Sequence, residues 1–170
     1  KGRPEVIWPL ALALALTGPS AAASPASVHP PAAACALRLS EHRSGRELAR
    51  LPLDPQSPEI RIAFEHSVLG TTVIDRYRFT PVPVLVEEEF EGEGYGLPAA
   101  PGPGERLERV GQRQRLTLVR PVDPLVVRAL AAPRMRLLLT QGELLLSSLG
   151  VPAVAIEALG CDHSALTRDP

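Results

Sequence analysis

Glu59-Ile-Arg-Ile-Ala-Phe-Glu-His-Ser-Val-Leu-Gly-Thr-Thr-Val-Ile-Asp-Arg-Tyr-Arg-Phe79 is the stretch whose reading decides the fold. Apolar residues recur at every second position on both sides of Gly70-Thr71, the period of a half-buried strand pair. Glycine first in a two-residue loop suits a type II′ turn, whose twist matches the flanking strands. That turn predicts a register in which Leu69 opposes Thr72, Val68 opposes Val73, His66 opposes Asp75 and Phe64 opposes Tyr77. One face then carries Ile60, Ile62, Phe64, His66 and Val68 against Val73, Asp75, Tyr77 and Phe79. The other carries Arg61, Glu65 and Ser67 against Ile74, Arg76 and Arg78, with Glu65–Arg76 as a cross-strand ion pair. An imidazole and a carboxylate thus meet on an apolar face, where each satisfies the other. On this reading Asp75→Asn breaks a buried pair and loses about 3–5 kcal/mol.

Downstream, Pro81 and Pro83 confine the strand Val82 to Phe90 to an edge or bulged position. Val82, Val84, Val86, Glu88 and Phe90 are expected on one of its faces, and Leu85, Glu87 and Glu89 on the other. Gly92 to Gly104 is too rich in glycine and proline for regular structure. Upstream, Cys35 to Leu39 and Glu47 to Leu53 alternate as strands, and so do short segments from Arg115 to Ala158. Ser147 to Val151 reads as a short helical turn or loop. Nineteen prolines argue against long helices. The expectation is an all-β domain of about eight to nine short strands, an antiparallel sandwich or partly closed barrel.

Composition bounds the rest. The 170 residues suit one domain plus tails; they are 45% hydrophobic but only 4% aromatic, so aliphatic side chains must fill the core. A net charge of -1, from 18 basic and 19 acidic residues, supplies no field to draw nucleic acid. Lys1 and Arg3, the apolar run Val6 to Leu16 and then Ala21-Ala22-Ala23 have the order of a secretory signal. The run is too short to span a bilayer, although an uncleaved anchor is the alternative. Cys35 lacks the upstream residues of a lipoprotein site. The organisation expected is a signal peptide over 1–23, an Ala/Pro/Ser linker over 24–34, a single β-domain over 35–159 and a flexible tail over 160–170. Cys35 and Cys161 read slightly better as a buried thiol and a tail thiol than as a bridge.

His66-Ser67-Val68, Asp75 before Tyr77, Glu87-Glu-Glu-Phe90 and Gly94-Tyr-Gly-Leu-Pro98, preceded by Cys35 and an apolar strand, form a set. In these the chain resembles the domain of unknown function 1850, a family of small exported bacterial proteins, over about Cys35 to Leu159. The resemblance implies no activity. It implies a setting beside, or joined to, components of tripartite (TRAP) solute transporters of the TAXI type. The sequence departs from the pattern at Leu69, where an acidic residue is usual, and at Tyr95, where a small one is.

These residues invite several kinds of chemistry. Neighbouring strand residues point to opposite faces, so His66 is poorly placed to activate Ser67, and there is no Gly-x-Ser-x-Gly elbow. A metal site would need His66, Asp75 and one of Glu87 to Glu89 to converge, without any recognised zinc spacing. The Gly94-Tyr95-Gly96-Leu97-Pro98 loop lacks the lysine and following helix of a phosphate loop. It reads instead as a tight turn or as a docking surface in which Tyr95 is the contact side chain. The expectation is therefore an exported, non-enzymatic interaction domain with no cofactor and an unknown small-molecule ligand; the resemblance alone implies a membrane transporter component as its partner. The alternative is a ligand- or metal-binding β-domain built on His66, Asp75 and an acid of the next strand.

Overall fold

In the computed structural model residues 35–161 are described, apart from Pro133, Thr140 and Gln141. The expected signal peptide, the linker and the tail beyond Cys161 lie outside these residues. Among the described residues eleven strands form two antiparallel sheets packed as a sandwich, not a closed barrel. In chain order they are β1 (Ala36–Glu41), β2 (Glu47–Pro52), β3 (Glu59–Glu65), β4 (Thr72–Phe79), β5 (Pro83–Phe90) and β6 (Arg106–Val110). There follow β7 (Arg113–Pro121), β8 (Leu125–Arg128), β9 (Arg136–Leu139), β10 (Gly142–Leu145) and β11 (Ala153–Leu159), with a 3-10 turn over Leu146–Leu149. One sheet has the order β2-β1-β11-β8 and the other β10-β9-β3-β4-β5-β7-β6.

The core lies between the sheets and is aliphatic, as the composition requires. Leu37, Leu39, Val154 and Ile156 of the smaller sheet meet Ile62, Val73, Leu116, Leu118 and Leu137 of the larger one, with Phe79 and Phe90 as its largest buried rings. Period-two alternation puts these residues on one side of each strand, and burying a side chain of this size stabilises by about 1.5–3 kcal/mol.

Three departures from the expected pattern have physical causes. The β3–β4 pair is a hairpin, but its register is shifted: Phe64 opposes Val73, Ile62 opposes Asp75 and Glu65 opposes Thr72. The shift is even, so every residue keeps its face while its partner changes. The loop spans His66 to Thr71, closed by the His66 amide to the Thr71 carbonyl at 2.8 Å and the Gly70 amide to the His66 carbonyl at 2.8 Å. Second, of the edge or bulged position expected for β5 the bulge is found and the edge is not: β5 is internal, and Val86 is an extra residue opposite Tyr77. That bulge turns Leu85 into the core beside Phe90 and separates it from Glu87 and Glu89, which stay outside. Third, Cys35 and Cys161 form a disulfide. Strand pairing brings them together, because Ala36 is opposite Leu159; the polar composition around Cys161 gave no hint of it.

The outer face of the larger sheet is a charge lattice. Arg76 bridges Glu59 and Glu87 at 2.9 and 3.0 Å, and Arg115 reaches Glu89 at 2.8 Å. Burial opposes ionisation of Glu59, but hydrogen bonds from Arg78 and Arg76 outweigh it and hold its carboxyl below the usual range. Glu65 does not pair with Arg76; it lies 3.6 Å from Arg134.

Candidate functional site

The residues singled out in the sequence fall into two places. His66, Ser67 and the Gly94 to Pro98 loop lie at one tip of the larger sheet, whereas Asp75 lies inside the sandwich. His66, one residue past the end of β3, is four residues from Ile62, the partner of Asp75, a displacement of about 13 Å. The expected His66–Asp75 pair therefore does not form, and the convergence of His66, Asp75 and a β5 acid goes with it. Among the described residues no group of three or more His, Cys, Asp or Glu side chains is placed to hold a metal ion.

At the tip, His66 fastens two loops together. Its Nδ1 accepts the amides of Val68 and Leu69, both at 3.3 Å. A nitrogen that accepts twice carries no proton, so Nε2 bears the hydrogen and donates to the Tyr95 carbonyl at 3.1 Å. The Thr71 hydroxyl adds a second tie by donating to the Glu91 carbonyl at 3.1 Å. Leu69, whose position is one of the departures from the resemblance, is half-buried against Gly92. Ser67 is exposed and takes no part.

Two large side chains stand out at the tip. Val68 is 60% exposed and Tyr95 is 70% exposed, each on one of the two fastened loops. Gly94, Tyr95 and Gly96 have φ of 80°, 55° and 95° in succession. The left-handed region costs a residue with a Cβ roughly 1–2 kcal/mol, so glycine would be easier at position 95 than tyrosine. Leu97 turns back and packs on the core, while Pro98 is half-buried. The loop is thus anchored at its exit and presents Tyr95 outward.

Gly92 has φ of 91°, and a Cβ there would stand 3.1 Å from Leu69 Cδ1. Gly92→Ala is expected to destabilise the domain by about 1 kcal/mol or more, through backbone strain and displacement of Leu69. Urea denaturation checks this: an unchanged midpoint would mean that the two loops are not packed together.

Inside, a row of partners runs across six strands: Leu137, Ile62, Asp75, Glu88, Leu116 and Leu107. Two carboxylates stand side by side in the middle of an aliphatic row. Burial pushes the Asp75 carboxyl up to about 7, and the neighbouring Glu88 charge adds to it. The Tyr77 hydroxyl, which donates to Asp75 Oδ2 at 3.2 Å, and the charge of Arg120 act the other way. Asp75 Oδ1 is buried with no partner among the described residues. Burial also raises Glu88, helped by Glu105 and opposed by Arg120, whose guanidinium lies 3.3 Å from Glu105. Tyr77 is raised by burial first and by Asp75 second, which fixes it as a hydrogen-bond donor. Both carboxyls are thus shifted the same way, towards the protonated form, by the same burial. Glu88, rather than Glu87, is the acid of β5 that faces inward; Glu87 is tied to Arg76 on the outside. The even spacing of Glu88 from Phe90 was the signal for this.

A family model for a domain of unknown function (DUF1850) matches residues 60–146, just over half of the chain. The chain belongs to this family. The match runs from β3 to the start of the 3-10 turn, so it takes in the whole larger sheet, the fastened loops and the acid pair of the DUF1850 domain. β1, β2 and β11, which make up most of the smaller sheet, lie outside it. Neither a curated protein nor a solved structure matches the chain.

Proposed function

We propose that this DUF1850 domain is an exported, non-enzymatic accessory module that engages a protein partner through the fastened tip loops. The observation that carries the reading is Tyr95. It is 70% exposed on a backbone of φ 55°, beside the 60% exposed Val68, and His66 holds both loops in place. Large amphipathic side chains of this kind are enriched at binding hot spots, and holding a loop in its bound shape lowers the entropic cost of association. Export is supported by the basic, apolar and Ala-Ala-Ala order of the amino terminus, and by a disulfide, which persists in oxidising compartments. Among the described residues no helix is long and apolar enough to cross a membrane. The partner we propose is a membrane component of a TRAP-type solute transporter, on the family resemblance alone. A catalytic use of His66 gains no support, because both ring nitrogens are engaged by backbone groups. The ligand- or metal-binding alternative loses the geometry it needed.

Tyr95→Ala is expected to leave the melting temperature nearly unchanged and to weaken partner association by about 1 kcal/mol or more. The measurement is co-purification and affinity of parent and variant with the co-expressed transporter membrane component. Equal affinity of parent and variant would overturn the reading. A large stability loss without an affinity change would make Tyr95 a structural residue.

A further inference from the structure

We propose that the smaller sheet carries a separate site for a small organic anion, an oxyanion group borne on a short apolar body. The site lies where the β1–β2 turn, the end of β8 and the start of β11 meet. Ala153 is the register partner of Arg128, and the His42 amide donates to the Ala153 carbonyl at 3.1 Å, so His42, Ala153 and Arg128 form one cross-strand row. The alternate residues Val127 and Val154 are buried, which turns this row to the outer face. A methyl group between two long side chains leaves a notch, and there is a cavity of about 250 Å³ there. Arg43 closes it from the turn, and Leu130 and Pro152 supply an apolar wall.

Charge singles this cavity out. In the described residues nearly every arginine has a carboxylate within 4.0 Å; Arg43, Arg109 and Arg128 do not. Two of these three unpaired guanidinium groups line the same cavity. The one carboxylate in its lining, Glu41, is occupied by the Ser44 hydroxyl at 2.7 Å and by Arg46 at 3.6 Å. The cavity is therefore left with a net positive lining and free forked donors, the geometry that takes carboxylate or phosphate oxygens in pairs. Leu130 is 45% exposed beside them and offers contact to an alkyl group. The volume is below the roughly 300 Å³ at which drug-sized sites begin, which limits the ligand to a short chain.

The site is remote in sequence from the tip loops and independent of the reading given to them. Hexanoate, hexanol and inorganic phosphate titrated separately into the full chain test it, with amide shifts of Arg43, Arg128, Leu130 and Ala153 as the readout. Hexanoate is expected to shift these four amides saturably. Hexanol, without the charge, and phosphate, without the alkyl body, are expected to bind about tenfold more weakly. The double variant Arg43→Gln/Arg128→Gln changes only exposed side chains and is expected to weaken hexanoate binding by about tenfold or more. Ala153→Leu, which fills the notch while leaving the charges, is expected to do the same. Absence of saturable hexanoate shifts, or shifts that persist in either variant, would overturn the proposal. Phosphate binding as tight as hexanoate would overturn the apolar-body assignment.

Discussion

Replacing Cys35 and Cys161 together by serine is expected to remove about 4 kcal/mol of unfolding free energy. The bridge spans a sequence separation of 126 residues, so it confines nearly the whole described chain in the unfolded state. In the folded state it holds the beginning of β1 beside the end of β11, the two central strands of the smaller sheet. Those strands pair across almost the full length of the domain, and such non-local pairing is entropically the most demanding contact to form. Domain stabilities are commonly about 5–15 kcal/mol, so the loss would be roughly a quarter or more of the total. Urea unfolding of parent and double-serine variant measures it. A lower midpoint with a steeper denaturant dependence is expected, because the unlinked chain exposes more surface when it unfolds. Coincident curves would mean that the β1–β11 pairing needs no covalent support.

What could be read from the sequence was set by period, and what could not was set by register. Alternation identified β3 and β4 and the face each residue occupies, because an even register shift leaves every side chain on its own side. It could not give the length of the loop between them. That length depends on His66 closing a six-residue turn with its own backbone and capping the amides of Val68 and Leu69 with its ring. Gly70-Thr71 looked like a sufficient turn by itself, so the partner of Asp75 was misassigned. Pro81 and Pro83 pointed to a bulge as one option for β5 but not to its place at Val86, so Leu85 was put on the wrong face. β6 was missed because Arg106-Leu-Glu-Arg-Val110 carries three charges, and the inward residue of its row, Leu107, is a single apolar signal. Of the candidate site residues, Tyr95 and its flanking glycines were legible as an irregular loop, and Tyr95 is exposed on it. His66 was legible as important, but its role as the fastening between two loops needed the Tyr95 carbonyl, a partner 29 residues away.

Asp75→Asn carries the other large effect, and its sign is opposite to the one a His66–Asp75 pair implies. With a folded value of about 7 against an ordinary value of 3.8, Asp75 holds its proton in the native state over a pH range where the unfolded chain releases it. Stability linked to this group is fully present below the unfolded value and is lost as pH rises through the folded one. Glu88 is shifted in the same direction by the same burial, so the two carboxyls reinforce one another. Above pH 7 the native protein confines a charge at Asp75 between Ile62 and Glu88 with one buried oxygen lacking a partner. Asparagine removes that charge and still accepts from the Tyr77 hydroxyl, while its amide is a donor next to the Glu88 carboxylate. The variant is expected to match the parent near pH 4 and to exceed it by about 2–4 kcal/mol at pH 8, the conversion of the pKa difference discounted for partial exposure. Urea midpoints at the two pH values decide the matter. A variant less stable than the parent at pH 8 would show that the ionised Asp75 is paired after all. An equal gain at both pH values would show that the benefit comes from packing and not from the proton.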